Sequence, residues 1–351
     1  MNDIYSDPRR FSTDWLEQFL QAPAGSLESF SVEAIGTGQI ADSFRISLDW
    51  HARPEHAPQS LVTKCPSPDE TSLASARMMD LYLKEVNWYR ELAPRSTVCV
   101  PRCFHAEINN EGDDFVLLLE DCAPGRQGDQ LEGASLDAIR SALAEAARLH
   151  APFLNDPSLE NMGWLAVDPE MAAMRRGLIA QFWPAFRERY EGRLSEELFE
   201  MGEHFVERVA SQEDQPPSIV SIAHGDFRID NMLFGRPDGR AVILDWQTIH
   251  PGDPLQDVSY LIGTSVADPA VRRSKEADLV HYYCECMEQL GAPIDGDEAW
   301  LAYRQFASAG FVMAITASML AKRTERGDEM FAVMAERPAQ QMMDLDTLSL
   351  I

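Results

Sequence analysis

The sequence predicts a two-lobed α+β protein, with a small sheet-based N-terminal lobe and a larger helical C-terminal lobe. Strand-like alternation fills the first third around one helical stretch, and most of the chain beyond residue 134 carries helical periodicity. Between them, Ala123–Gly133 is rich in glycine and polar residues. The expected division is residues 1–120 for the small lobe, 121–133 for a connector and 134–351 for the large lobe.

In the small lobe, Ser31–Gly36 and Ile40–Leu48 alternate about a glycine turn, and Ser60–Cys65 is a third strand. Thr71–Leu92 predicts one helix, closed by Pro94. Two more strands, near Cys103–Ile108 and Phe115–Glu120, flank the polar turn Asn109–Asp114. In the large lobe, Ser135–His150 is an amphipathic helix with Ser135 as its N-cap. Further helices are expected within 168–212, 267–291 and 297–336. A block of short strands between Ile219 and Trp246 interrupts them. The chain shows no internal repeat or low-complexity tract.

Acidic residues outnumber basic ones, 57 to 30, for a formal charge of -27. That surface argues against a nucleic-acid partner, which needs clustered Lys and Arg, and suits solubility or the attraction of cationic substrates. No apolar run approaches the roughly 20 residues that span a bilayer, so no membrane partner is expected. The start, MNDIYSDPRRF, lacks a signal-peptide core. Six cysteines without a C-x-x-C pair read as free, mostly buried thiols in a reducing compartment. The expected location is cytoplasmic, and nothing in the sequence specifies an oligomeric state.

The sharpest chemical signal is His224-Gly225-Asp226-Phe227-Arg228-Ile229-Asp230-Asn231, followed by Ala241-Val242-Ile243-Leu244-Asp245-Trp246. The apolar run Ser218–Ala223 sets His-Gly-Asp at a strand end. Beyond it, Pro237-Asp238-Gly239 is a turn between two apolar runs. A hairpin pairing Gly235 with Arg240 sets Asn231 opposite Leu244, with Asp245 next along the chain. That register gathers two oxygen ligands suited to Mg²⁺. Asp226 is placed to meet the same site from the preceding loop.

The spacing Asp-x-x-x-x-Asn followed by a strand ending in Asp is similar to the protein-kinase catalytic loop and metal-binding Asp. In the form H-G-D-x-x-x-x-N with I-L-D-W-Q it resembles the aminoglycoside phosphotransferase and choline kinase superfamily, and within it the ecdysteroid-kinase-like branch. The resemblance covers roughly residues 31–265. It implies a protein-kinase-like fold and an ATP- and Mg²⁺-dependent kinase acting on a hydroxyl of a small molecule. Asp226 would be the base that orients and deprotonates the acceptor hydroxyl, and Asn231 and Asp245 the magnesium ligands.

Upstream residues fit the same plan. Gly36-Thr37-Gly38 lies between two strands, where Gly36 and Gly38 suit a phosphate-covering loop or a plain turn. Lys64 ends an apolar strand and matches, in chain order, the kinase lysine on the α- and β-phosphates. On the following helix Met78, Tyr82, Glu85, Tyr89 and Leu92 share one face. Glu85 interrupts that apolar stripe and needs a partner, for which Lys64 is the candidate and Glu91 the fallback. The resemblance also makes Val116–Cys122 the last small-lobe strand running into a hinge, with Glu120, Asp121 and Cys122 meeting the adenine edge through backbone groups. His150 and Asp257 read as structural support, the latter for the catalytic loop.

Trp246-Gln247 follows Asp245 where protein kinases have Phe-Gly, and no Ala-Pro-Glu signature appears. A protein substrate is therefore disfavoured. The acceptor alternatives are a steroid- or terpenoid-like alcohol, an amino-alcohol such as choline, or an aminoglycoside-like sugar. Met313, Met319, Met330, Met334, Met342 and Met343 suit either an irregular hydrophobic ligand or helix packing. Similar domains also occur with acyl-CoA dehydrogenases and phosphorylate hydroxyacyl-CoA thioesters. A CoA ester would need a basic patch, for which Arg175-Arg176 and Lys322, Arg323 and Arg326 are the candidates. The alternative from another class is a catalytically inactive, kinase-like binding module, against which stands the intact set Lys64, Asp226, Asn231 and Asp245.

Overall fold

The computed structural model describes residues 4–36, 40–166, 169–211, 219–321 and 323–351. They divide into two compact units. The first comprises Met1–Arg95, Val100–Pro124 and Asp245–Thr248, the second Ser96–Cys99, Gly125–Leu244 and Ile249–Ile351.

The first unit begins with α1 (Thr13–Leu20), which the sequence reading did not anticipate; Ser12 caps it, its hydroxyl accepting from the Trp15 amide. Strands β1 (Leu27–Ile35), β2 (Ala41–Trp50) and β3 (Ser60–Pro66) precede the helices α2 (Glu70–Met78) and α3 (Leu81–Asn87). Strands β4 (Cys103–Ile108) and β5 (Phe115–Glu120) complete an antiparallel sheet of order β1-β2-β3-β5-β4. One sheet face carries Ile46, Leu48, Leu61, Val116 and Leu118, packed with Leu16 and Leu20 of α1 into a core. On the alternate positions Phe115 meets Tyr82 of α3, ring centroids 4.4 Å apart. Because both faces of β5 are covered, Phe115–Leu119 is buried throughout and reads as an unbroken apolar run.

The single helix expected over Thr71–Leu92 is instead three pieces. Asp80 takes a left-handed conformation (φ +55°), which ends α2 and starts α3 in a new direction. The last stretch, Trp88–Leu92, widens into a π turn. Tyr82, Glu85, Tyr89 and Leu92 still share a buried side, while Met78, before the break, is exposed.

In the second unit β6 (Arg126–Gln127) lies in the stretch read as connector, and α4 (Leu136–His150) follows with Ser135 as its cap. After α5 (Pro169–Tyr190) and α6 (Glu196–Ser211) come β7 (Ser221–Ala223), β8 (Met232–Phe234), β9 (Val242–Ile243) and β10 (His250–Gly252). Ser218, where a longer strand was expected to begin, lies outside the described residues. Strands β6, β8 and β9 form one antiparallel sheet and β10 pairs with β7. Helices α7 (Leu255–Ser265), α8 (Pro269–Gln289), α9 (Gly296–Gln305), α10 (Ala309–Leu320) and α11 (Glu325–Asp344) build the rest. The expectation of helix over 297–336 thus runs short, because α11 continues through Pro338. Trp183, Phe186, Phe199, Phe205 and Phe311 cluster in the core of this unit. Met334 and Met342 are core residues too, which favours packing as the use of those two methionines.

No helix among the described residues is long and apolar enough to cross a membrane. All six cysteines are free, but only Cys65 and Cys122 are buried; Cys99, Cys103, Cys284 and Cys286 are half-buried, short of the burial expected for them.

Candidate active site

In the first unit, strand alternation decides where Lys64 points. Leu61, Thr63 and Cys65 face the α1 side of the sheet, so Lys64 projects to the other face, where α3 runs. Its ammonium donates to Glu85 Oε1 at 2.9 Å and lies 2.8 Å from Oε2. It also reaches Asp245 Oδ1 at 3.0 Å. Burial alone would push the Lys64 pKa down, but Asp245 and Glu85 more than offset it and hold it above the ordinary lysine value. Glu91, the fallback partner, is exposed on the far side of the helix.

The segment Asp245–Thr248 is fastened to the same unit. Trp246 stacks on Trp88, centroids 3.7 Å apart and 12° from parallel, and its amide points at Glu85 Oε1, 3.4 Å away. That stack gives a physical role to the Trp246 that stands where protein kinases have Phe. Asp245 itself is left-handed (φ +63°), an uncommon conformation for a residue with a side chain.

Gly36 sits at the end of β1 with φ +74°, a conformation that favours glycine at the turn. Gly38 lies outside the described residues. Glu120 ends β5, and its side chain accepts from the Arg102 amide at 3.1 Å. The Asp121 carboxylate is committed to the sheet, accepting from Arg45 Nε at 2.7 Å, Ser60 Oγ at 2.8 Å and the Ala123 amide at 3.2 Å. Burial works against these bonds, which prevail and hold its carboxyl below the usual range. Cys122 is buried, its thiol turned toward the Glu120 carbonyl.

In the second unit the hairpin has the register read from its turn. Met232 pairs with Ile243 and Leu233 with Val242, and the Leu244 amide donates to the Asn231 carbonyl at 2.9 Å. The loop before it is held from two sides. The His224 ring reaches the Leu244 carbonyl at 2.9 Å. Asp257, fully buried on α7, accepts the amides of His224 at 2.6 Å and Gly225 at 3.0 Å. Gly225 makes that approach at φ +82°. His150, also buried, bridges Asp257 at 3.2 Å and Tyr283 at 2.8 Å. Burial alone would raise the Asp257 pKa; His150 and the loop amides overturn this and hold it below the usual carboxylate range.

The Asp226 carboxylate collects three donors. Tyr260 Oη donates to Oδ1 at 2.7 Å, Asn231 Nδ2 to Oδ2 at 2.7 Å, and Arg228 Nε lies 3.0 and 3.2 Å from the two oxygens. Asn231 Nδ2 also donates to the Asp226 carbonyl at 2.9 Å, so the amide nitrogen is spent on Asp226 and its oxygen is left for another partner. Arg228 is pinned in turn by Asp230 at 2.7 Å and touches Met330 Sδ at 3.5 Å.

Arg228 and Tyr260 were not among the residues singled out from sequence. The signal for Tyr260 was present: it stands three residues after Asp257 in an apolar helix, where a buried phenol needs an acceptor. Of the basic candidates, Arg323 pairs with Asp328 at 2.9 Å and Arg326 with Asp129 at 3.3 Å. Lys322, and the side chains of Arg175 and Arg176, lie outside the described ones. Among the described residues no group of three or more His, Cys, Asp and Glu could hold a metal ion.

A sheet-based N-terminal lobe and a helical C-terminal lobe of this kind define a kinase-like fold. The chain aligns along 92% of its length with 91% of a choline kinase from Cryptosporidium parvum, at a TM-score of 0.58 and 12% identity. It also covers 99% of aminoglycoside 2'-phosphotransferase-IIIa, solved as its GDP complex, with 93% of itself, a TM-score of 0.53 and 17% identity. The model of the ecdysteroid kinase-like family matches residues 39–292, and the chain belongs to that family. Two curated relatives are each 25% identical to it: acyl-CoA dehydrogenase family member 11 from Gallus gallus over 142 residues, 36% of this chain, and the probable acyl-CoA dehydrogenase IBR3 from Arabidopsis thaliana over 269 residues, 72% of it. The matches span 18% and 29% of those proteins.

Proposed function

We propose that this chain transfers the terminal phosphoryl group of ATP to a hydroxyl of a small molecule, with magnesium. The observation that carries the reading is the carboxylate of Asp226, oriented by three donors in a loop whose backbone is itself clamped by Asp257. Such a carboxylate aligns an acceptor hydroxyl and takes its proton as the oxygen–phosphorus bond forms. The bond from the γ-phosphorus to the bridging oxygen breaks, and its electron pair leaves on the β-phosphate of ADP. Lys64, held charged by Glu85 and Asp245, is assigned to the α- and β-phosphates.

Asn231 and Asp245 would hold magnesium, since an amide oxygen and a carboxylate are its preferred donors and the Asn231 nitrogen is already spent. When bound, the ion offsets phosphate charge. Gly36 and Gly38 are assigned to the loop over the phosphates, and backbone groups at Glu120, Asp121 and Cys122 to the adenine edge. Free thiols and an acidic surface fit a cytoplasmic protein without a nucleic-acid partner.

A second reading of the acceptor is a hydroxyacyl-CoA thioester. It is favoured by the names of the two curated relatives, both acyl-CoA dehydrogenases.

Isothermal titration of ATP with and without magnesium, followed by ADP release across sterol, amino-alcohol, aminoglycoside and hydroxyacyl-CoA acceptors, tests both readings. Magnesium-dependent binding and acceptor-dependent release are expected. Absence of binding at millimolar ATP overturns the kinase reading, and release with alcohols but not the thioester overturns the second.

A further inference from the structure

Helix α7 presents Asp257 and Tyr260 three residues apart, hence on one face. Asp257 holds the backbone of His224 and Gly225, and one turn later Tyr260 holds the side chain of Asp226. We propose that Tyr260 is a positioning residue for phosphoryl transfer, fixing the Asp226 carboxylate so that one acceptor site stays open to the substrate hydroxyl. This rests on the reading of Asp226 as the group that receives the hydroxyl proton.

A carboxylate offers roughly four lone-pair sites. Tyr260 occupies one on Oδ1, Asn231 one on Oδ2, and Arg228 Nε is shared between the two oxygens. About one site is left, and its direction is set once the carboxylate plane cannot turn. Tyr260 bonds the carboxylate directly from a separate helix, whereas Arg228, which also touches Met330 on α11, and Asn231 are residues of the loop itself. The Tyr260 side chain is only 2% exposed, so its hydroxyl would be costly to bury without this acceptor. Burial, reinforced by Asp226, pushes the phenol well above its ordinary pKa, and it stays a donor.

The test uses the full chain, magnesium ATP and whichever alcohol of the panel above gives most ADP. Tyr260→Phe is expected to lower kcat by about 10–100-fold, the scale of a misplaced reacting group, while KM for ATP and the melting temperature stay near wild type. In an Asp226→Asn background the same change is expected to alter kcat less than about 2-fold, because the two residues act as one unit. Wild-type kcat in Tyr260→Phe, or losses that multiply in the double variant, overturns the inference. If Tyr260→Phe does not fold, 3-fluorotyrosine at 260 keeps the shape and alters donor strength; an unchanged kcat then overturns it. A wild-type chain silent with every acceptor removes the kinase reading itself, whereas an active wild type with an equally active Tyr260→Phe removes only this inference.

Discussion

At position 226 a single oxygen pair accepts from a tyrosine, an asparagine and an arginine, and the chemistry assigned to it depends on keeping its charge and its orientation. Asp226→Asn keeps the shape but turns one oxygen into a donor facing other donors. Turnover is expected to fall roughly 10²–10⁴-fold, the usual contribution of a positioned base, with nucleotide binding nearly unchanged. Steady-state ADP release beside ATP titration checks this, and near-wild-type turnover would remove Asp226 from the role. Asp245 carries a different burden, bonded to Lys64 and assigned to magnesium. Asp245→Ala should weaken ATP binding in the presence of magnesium and barely alter it in its absence. Equal loss under both conditions would mean that its work is on Lys64 alone.

Helix α7 and the turn that leads into it carry two carboxylates with opposite pH behaviour. Burial pushes the Asp253 carboxyl up to about 6, while His150 and the loop amides hold Asp257 below the usual range. A group raised on folding prefers its proton in the native state, so Asp253 costs stability as pH rises from the ordinary carboxylate range through about 6. Asp253→Asn still accepts from the Leu255 amide and should stabilise the chain above pH 6 by up to roughly 3 kcal/mol, with no gain near pH 4. Asp257 behaves in reverse: its contribution is present above the usual carboxylate range and fades as pH falls through its lowered value. Asp257→Ala should therefore destabilise by about 3 kcal/mol at neutral pH, and by less in acid. Urea melts at pH 4, 5 and 7 separate the two signs. These elements also show what the chain disclosed. The turn at Pro237-Asp238-Gly239 set the register down to Leu244 and Asn231, because hairpin pairing is local arithmetic. Strands β4 and β5 and the Ser135 cap were equally local. The break at Asp80 was not: helical periodicity runs on either side, and only a left-handed residue, not glycine here, separates the pieces. Strands β6 and β10 were illegible because two or three residues gain their pairing only from distant partners. Tyr260 was legible as a buried phenol in need of an acceptor, but not the acceptor itself, which lies 34 residues away in sequence.

Over the whole molecule the dominant electrostatic fact is an excess of acid, 57 residues against 30 basic ones. Local pairs such as Arg240 with Glu145 and Arg189 with Asp328 match acid to base one for one and leave that excess untouched, so a charge of -27 repels itself across the folded surface. Exposed pairs contribute little and are weakened by salt, whereas the repulsion acts over many residues at once and is weakened by salt too. Which of the two salt relieves more decides the sign of its effect, and an imbalance this large favours repulsion. Raising sodium chloride from about 10 mM to 150 mM shortens the screening length from roughly 30 Å to 8 Å. At pH 7 the melting temperature is expected to rise by roughly 2–4 °C over that range. Near the sequence pI of about 4.6 the net charge vanishes and the rise should disappear. A melting temperature that falls with salt at pH 7 would instead make the exposed ion pairs, such as Arg187 with Glu196 and Lys275 with Asp278, the governing term.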